Sequence, residues 1–161
     1  MKICICDDEK DFIHNFQLLL KQYSKKHKNI NQFNFFENEN DLLSYFYSQN
    51  DIDILFLDIK FQTYSGIEIA KKIRDINPSV ILIFLTSFPE YALSGYKVKA
   101  FDYLVKPLSY LQLENVLDRA ISELESIEKH FLIIKDSGNI FKIKFSEIVY
   151  IETYNRNILF H

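Results

Sequence analysis

Residues 53–58 read Asp-Ile-Leu-Phe-Leu-Asp: four successive apolar side chains closed at each end by an acid. A run this short, without the polar alternation of a half-buried strand, fits a strand covered on both faces. Val80-Ile81-Leu82-Ile83-Phe84-Leu85 has the same character. Two such strands need a layer of helices on each side, and the flanking sequence supplies them. Further strand patterns occupy residues 2–6, 32–36 and 100–105, and the first of the two central strands spans 53–57. Helical periodicity marks residues 11–27, where Phe12, Phe16, Leu19, Leu20 and Tyr23 share a side, and residues 39–48 and 66–76. A weaker helix falls near 90–95, and a long one covers 110–129 with Leu113, Val116, Leu117, Ala120, Ile121 and Leu124 in register. Strands alternating with helices in this way predict an α/β fold, a doubly wound five-stranded parallel sheet with helices on both faces.

In sheets of this kind, ligand sites lie beyond the carboxyl ends of the strands, at the point where the strand order reverses. The residues found there form a chemically consistent set. The first strand ends in Asp7-Asp8, the third in Asp58, the fourth in Thr86-Ser87 and the fifth in Lys106-Pro107. Clustered carboxylates oppose one another's ionisation. A hard divalent cation relieves that repulsion, and Mg²⁺ suits carboxylate oxygens with phosphate as a co-ligand. Lys106 adds a point charge for an anion, and Thr86 a hydroxyl donor for a phosphoryl oxygen. Taken singly, each residue has a bland reading: Asp8 or Asp58 as a cap or turn residue, Asp7-Asp8 as first-turn charge beside a helix dipole, Thr86 as a cap, Lys106 as a solvated lysine. Four separate strands placing this chemistry at one edge favour a phosphoryl group held against a carboxylate nucleophile and a metal.

Composition narrows the remaining classes. Fifteen Phe and ten Tyr give the chain ample surface to bury, which argues against disorder. The formal charge of −3 gives the chain as a whole no electrostatic footprint for nucleic acid. The N-terminus MKICICDDEK turns acidic before any long apolar stretch, unlike a secretory leader, and the run 80–85 is far too short for a membrane span. A cytoplasmic location is the expectation. Cys4 and Cys6 sit two apart on one strand, on one face, and read as small buried hydrophobes rather than metal ligands.

After Lys129 the pattern changes. Residues 131–135, 140–145 and 148–152 are strand-like, with Asp136-Ser137-Gly138-Asn139 as a turn, so a partial all-β segment is expected, still under way at His161. The predicted division is 1–125 for the α/β domain and 126–161 for the end of the long helix and the start of a second domain.

Five motifs, in order and spacing, resemble the receiver family of two-component response regulators. They are Ile5-Cys6-Asp7-Asp8-Glu9, Leu55-Phe56-Leu57-Asp58-Ile59, Ser65-Gly66-Ile67-Glu68, Leu85-Thr86-Ser87 and Asp102-Tyr103-Leu104-Val105-Lys106-Pro107. The stretches Glu90-Tyr91-Ala92-Leu93 and Ala100 to Leu108 resemble receivers joined to LytTR-type DNA-binding domains, and Ile140 to Glu152 resembles the opening strands of such a domain. The family departs here in having Met-Pro where this chain has Phe61-Gln62, which should loosen that loop without removing chemistry.

The resemblance implies a flavodoxin-like receiver in which Asp58 accepts phosphate from a sensor histidine kinase. It implies Mg²⁺ on Asp8, Asp58 and the backbone carbonyl of Lys60, with Asp7 acting through water. Thr86 and Lys106 would contact phosphoryl oxygens, Tyr103 would be the aromatic switch, and the Lys106–Pro107 bond would be cis. Phosphorylation would promote a homodimer and so direct a LytTR-type output domain to DNA. Only about thirty residues of that domain are expected, as a truncated portion, and residues 131–161 carry a net charge of +1, so DNA binding by the segment itself is not expected. No enzymatic activity is expected. The alternative is a stand-alone phosphorelay or interaction receiver without DNA-binding output. An FMN-binding fold would require a phosphate loop where Asp7-Asp8-Glu9 stands, and an aspartyl phosphatase a second Asp where Lys60 stands.

Overall fold

The computed structural model describes residues 1–27, 32–61, 65–87, 98–129, 131–136, 138–145, 148–155 and 157–161. The helix expected near 90–95, the Glu90–Leu93 motif and Gln62 lie outside the described residues. The chain divides into two compact units, Met1–Ala120 and Ile121–His161.

The first unit is built on β1 (Lys2–Cys6), α1 (Lys10–Lys26), β2 (Gln32–Phe36), α2 (Glu39–Ser48), β3 (Ile54–Asp58), α3 (Gly66–Ile76), β4 (Ile81–Thr86), β5 (Asp102–Val105) and α4 (Tyr110–Lys129), the last continuing into the second unit. The five strands pair in the order β2-β1-β3-β4-β5, all neighbours parallel. The predicted doubly wound five-stranded sheet is therefore present. Every residue of β3 and β4 is buried, as the unbroken apolar runs required. Both strands begin and end one residue later than their patterns suggested, so Asp58 and Thr86 are the last residues of their strands: Asp58 pairs with Leu85, and Thr86 with Val105. The order reverses between β1 and β3, which fixes where a site should lie.

The helices follow from capping as well as periodicity. Asn38 caps α2 by accepting from the Asp41 N–H at 2.9 Å. Ser65 and Glu68 form a reciprocal capping box at the start of α3, and Ser109 with Gln112 does the same before α4. Phe16, Leu20 and Tyr23 of α1 are buried, as are Leu113, Val116, Leu117 and Ala120 of α4. Cys4 and Cys6 are buried on the face of β1 that joins the cluster with Leu42, Phe46, Ile69 and Ile73, in keeping with their reading as small hydrophobes.

The Lys106–Pro107 bond is cis, as expected. No described helix is long and apolar enough to cross a membrane.

The second unit holds two antiparallel hairpins: β6 (Phe131–Asp136) with β7 (Asn139–Lys144), and β8 (Ile151–Tyr154) with β9 (Asn157–Phe160). The strand expected at 148–152 is displaced to 151–154. Its hairpin partner β9 had no place in the sequence reading. Asn155, with a left-handed φ of 48°, is the local signal for that turn.

Candidate functional site

The carboxyl ends of β1, β3, β4 and β5 bring together Asp7, Asp8, Asp58, Thr86 and Lys106. Parallel pairing is what aligns them, because Cys6 opposes Leu57, Asp58 opposes Leu85, and Thr86 opposes Val105. Asp7 is fully buried and Asp58 nearly so, while Asp8 is exposed. One carboxylate oxygen from each of the three lies within 4.8 Å of the others.

Lys106 reaches into this group. Its Nζ lies 2.7 Å from Asp7 Oδ2, 2.9 Å from Glu9 Oε1 and 3.2 Å from Asp58 Oδ2. Its side chain is only 6% exposed. Burial alone would favour the neutral amine, but the bonds to Asp7 and Glu9 outweigh it and hold the ammonium more firmly protonated than a free lysine. Burial acts in the opposite sense on the acids. It pushes the Asp7 carboxyl up to about 6 against the smaller downward pull of Lys106, and it raises Asp58 as well, again opposed by Lys106.

Backbone donors orient both buried acids. Asp7 Oδ1 accepts from the Glu9 N–H at 3.0 Å. Asp58 Oδ1 accepts from the N–H groups of Ile59 at 2.6 Å and Lys60 at 3.4 Å. Lys60 forms an isolated bridge to Ser65, closing the loop from β3 to α3. Thr86 is fully buried, and its carbonyl accepts from the Lys106 N–H at 2.8 Å, so the backbone ties β4 to the residue that carries the ammonium. Tyr103 on β5 is half-buried, its ring 6.5 Å from that of Phe84 and tilted 55° to it.

The donor set at this edge is all carboxylate oxygen, the kind a hard divalent cation takes. Asp7 Oδ2 is buried and lies 2.7 Å from the Lys106 ammonium. Three carboxylates converging within 4.8 Å, two of them buried, are a hard-cation environment. In an octahedral Mg²⁺ site, oxygens about 2.1 Å from the ion stand about 3.0 Å apart as neighbours, so the three acids, within 4.8 Å of one another, would have to close in around it. The residues present fit the ion.

The geometry also shows three participants that the strand-end reading missed. Glu9 contacts Lys106; its place directly after Asp7-Asp8 was the available signal. Phe12 lies with its ring centroid 4.4 Å from Lys106 Nζ. Gly66 lies against the backbone of Asp58, where a Cβ would come 2.0 Å from the Asp58 carbonyl oxygen. Gly66 stands in the Ser65-Gly66-Ile67-Glu68 motif, whereas the Phe12 contact has no sequence signature.

Residues 3–118 match the family described as the response regulator receiver domain. The chain belongs to that family. This receiver is similar to the sensory transduction protein LytT of Enterococcus faecalis, with 35% identity over 45% of this chain and 30% of LytT. It is similar to the transcriptional regulatory protein YpdB of Escherichia coli, with 29% identity over 74% of this chain and 47% of YpdB. Both matches therefore span less than half of the relative. Among solved structures, the crystal structure of a response regulator receiver domain protein from Clostridium thermocellum superposes with a TM-score of 0.67, at 26% identity, covering 78% of this chain and 98% of that one. The relatives named LytT and transcriptional regulatory protein support the LytTR-type assignment of this receiver.

Proposed function

We propose that this receiver takes a phosphoryl group on Asp58 from a sensor histidine kinase, with Mg²⁺, and that phosphorylation switches dimerisation to control transcription through a LytTR-type output domain. The observation that carries the proposal is the meeting of Asp58 with Lys106, Asp7 and Asp8 at the reversal point of the sheet. A buried carboxylate beside an ammonium and a metal-binding pair is suited to in-line attack on phosphorus.

An Asp58 carboxylate oxygen forms the new bond to phosphorus. The bond from phosphorus to the donor's imidazole nitrogen breaks, and its electron pair leaves with the imidazole, which gains a proton. Asp8, Asp58 and the Lys60 carbonyl would hold Mg²⁺, with Asp7 acting through water. The ion would neutralise charge on the transferring group. Lys106 is placed to move from Asp58 to a phosphoryl oxygen, and the Thr86 hydroxyl to donate to another. The added charge of about −1.5 to −2 is then read by Thr86 and Tyr103. Tyr103 starts half-buried beside Phe84, so an inward turn would alter the face around β5 and α4, the surface proposed for the homodimer. Residues 1–125 would form the receiver and 126–161 the end of the linking helix and the opening of the output domain that reaches DNA. A cytoplasmic site of action follows from the phosphodonor.

The test is treatment with acetyl phosphate and Mg²⁺, followed by mass spectrometry and size-exclusion chromatography. The parent should gain a phosphoryl adduct and dimerise, and Asp58→Asn should do neither. Undiminished labelling of Asp58→Asn overturns the site.

A further inference from the structure

Lys106 is held by more than its carboxylates. Its Nζ sits 4.4 Å from the centroid of the Phe12 ring, and its side chain is nearly removed from water. A desolvated ammonium over a ring face is attracted to the ring quadrupole, more strongly than an exposed one. The ring is itself fixed in series: Phe12 lies 6.3 Å from Phe16, and Phe16 packs edge-on against Phe56 at 4.9 Å. Phe56 is two residues before Asp58 on the same strand. The three rings therefore reference the ammonium to the strand that carries the acceptor. The carboxylates cannot do this alone, because three of them compete for one lysine and two are the proposed metal ligands or their neighbours.

We infer that Phe12 is a positioning residue for phosphoryl transfer, holding Lys106 by a cation–π contact at the place where the phosphoryl oxygens arrive. The inference rests on the function proposed above, and its test is separable from that of Asp58. In the step itself, an Asp58 oxygen bonds to phosphorus while the bond from phosphorus to acetate oxygen breaks, acetate leaving with the electron pair. Phe12 touches none of these atoms and acts only through Lys106. Its replacement is structurally tolerable, since Phe12 is half-buried and borders a cleft of about 310 Å³ shared with Asn15, Leu18, Pro107 and Leu108.

The experiment is a double-mutant cycle on the full chain, read as the rate of acetyl phosphate labelling at saturating Mg²⁺ by mass spectrometry. Phe12→Leu keeps an apolar side chain and removes the ring; the expected loss is about threefold to tenfold in rate. Phe12→Tyr keeps the ring and should restore most of the rate. In a Lys106→Gln background, Phe12→Leu should have no further effect, because the cation is gone. The Mg²⁺ affinity of Phe12→Leu, measured by calorimetry, should match the parent. Equal losses in both backgrounds, or a Phe12→Tyr as slow as Phe12→Leu, overturn the inference and leave a purely structural ring. Labelling of Asp58→Asn would instead overturn the underlying assignment.

Discussion

Gly66→Ala sets two physical effects against each other, and the structure decides the sign. Gly66 opens α3, where alanine is the better helix former by up to ~1 kcal/mol. Against that, an added Cβ would lie 2.0 Å from the Asp58 carbonyl oxygen, 2.8 Å from Ile59 Cα and 2.9 Å from the Asp58 carbonyl carbon. Comfortable separations between carbon atoms are about 3.5–4.0 Å, so the overlap approaches an ångström or more. All three atoms are backbone, and no side chain can rotate away. The Gly66 N–H also donates to the Ile59 carbonyl at 2.6 Å, which holds the two segments together. Overpacking costs about 1–3 kcal/mol even where side chains can yield. A net loss of about 2 kcal/mol or more is therefore expected. At roughly 3–6 °C per kcal/mol for a unit of this size, the melting temperature should fall by roughly 6 °C or more. Circular dichroism melts of parent and variant on the whole chain provide the assay. Because the segment that must yield carries Asp58, acetyl phosphate labelling should slow as well. A Gly66→Ala protein that melts at or above the parent refutes the reasoning.

Further outcomes follow from other buried groups. The rise of Asp7 from 3.8 to about 6 means that the folded metal-free protein binds this proton more tightly than the unfolded chain. Its ionisation therefore costs up to about 3 kcal/mol at neutral pH, a cost that shrinks as pH falls through 6 and is gone below about 4. In EDTA, Asp7→Asn should resist urea better than the parent at pH 7.5 and lose that advantage near pH 4; equal stability at pH 7.5 counts against the burial argument. The Arg74 guanidinium donates to the carbonyls of Pro78, Val80, Val98 and Lys99, closing the end of α3 onto the segment entering β5. Arg74→Met should lower urea-unfolding stability by about 2 kcal/mol, and no change would remove that role. The Cys4 thiol is pushed up to about 12 by burial, and Cys6 is raised as well. Native protein at pH 8 should leave both thiols unalkylated, and urea should expose two; rapid native alkylation would contradict the packing of β1.

The strand-end residues were legible because two properties coincided in the sequence. Continuous apolar runs identified strands buried on both faces, and parallel pairing leaves only the ends of such strands available for polar chemistry. Asp7, Asp58, Thr86 and Lys106 could therefore be found without knowing any contact. Phe12 reads in sequence as one more apolar residue on the inner face of α1, and its place beside Lys106 is a meeting across the whole first unit. Gly66 stands in a motif, but the reason for glycine there, its closeness to the Asp58 backbone, is a matter of three dimensions. Arg74 looks like a favourable cation at the end of a helix, and its four carbonyl partners come from segments folded back upon it. In the second unit, the strand at 151–154 was placed too early because Ile148, Val149 and Tyr150 have strand-forming side chains. Pairing is instead set by the turn at Asn155, which fixes the register of β8 against β9.

The central claim is that Asp58 is the phosphoryl acceptor, and chemical trapping tests it most directly. After exposure to acetyl phosphate and Mg²⁺, borohydride reduces an acyl phosphate to an alcohol and converts the modified aspartate to homoserine. Peptide mapping should find homoserine in place of Asp58, dependent on both acetyl phosphate and Mg²⁺. Homoserine at Asp7 or Asp8, or none anywhere in a well-folded protein, would contradict the account.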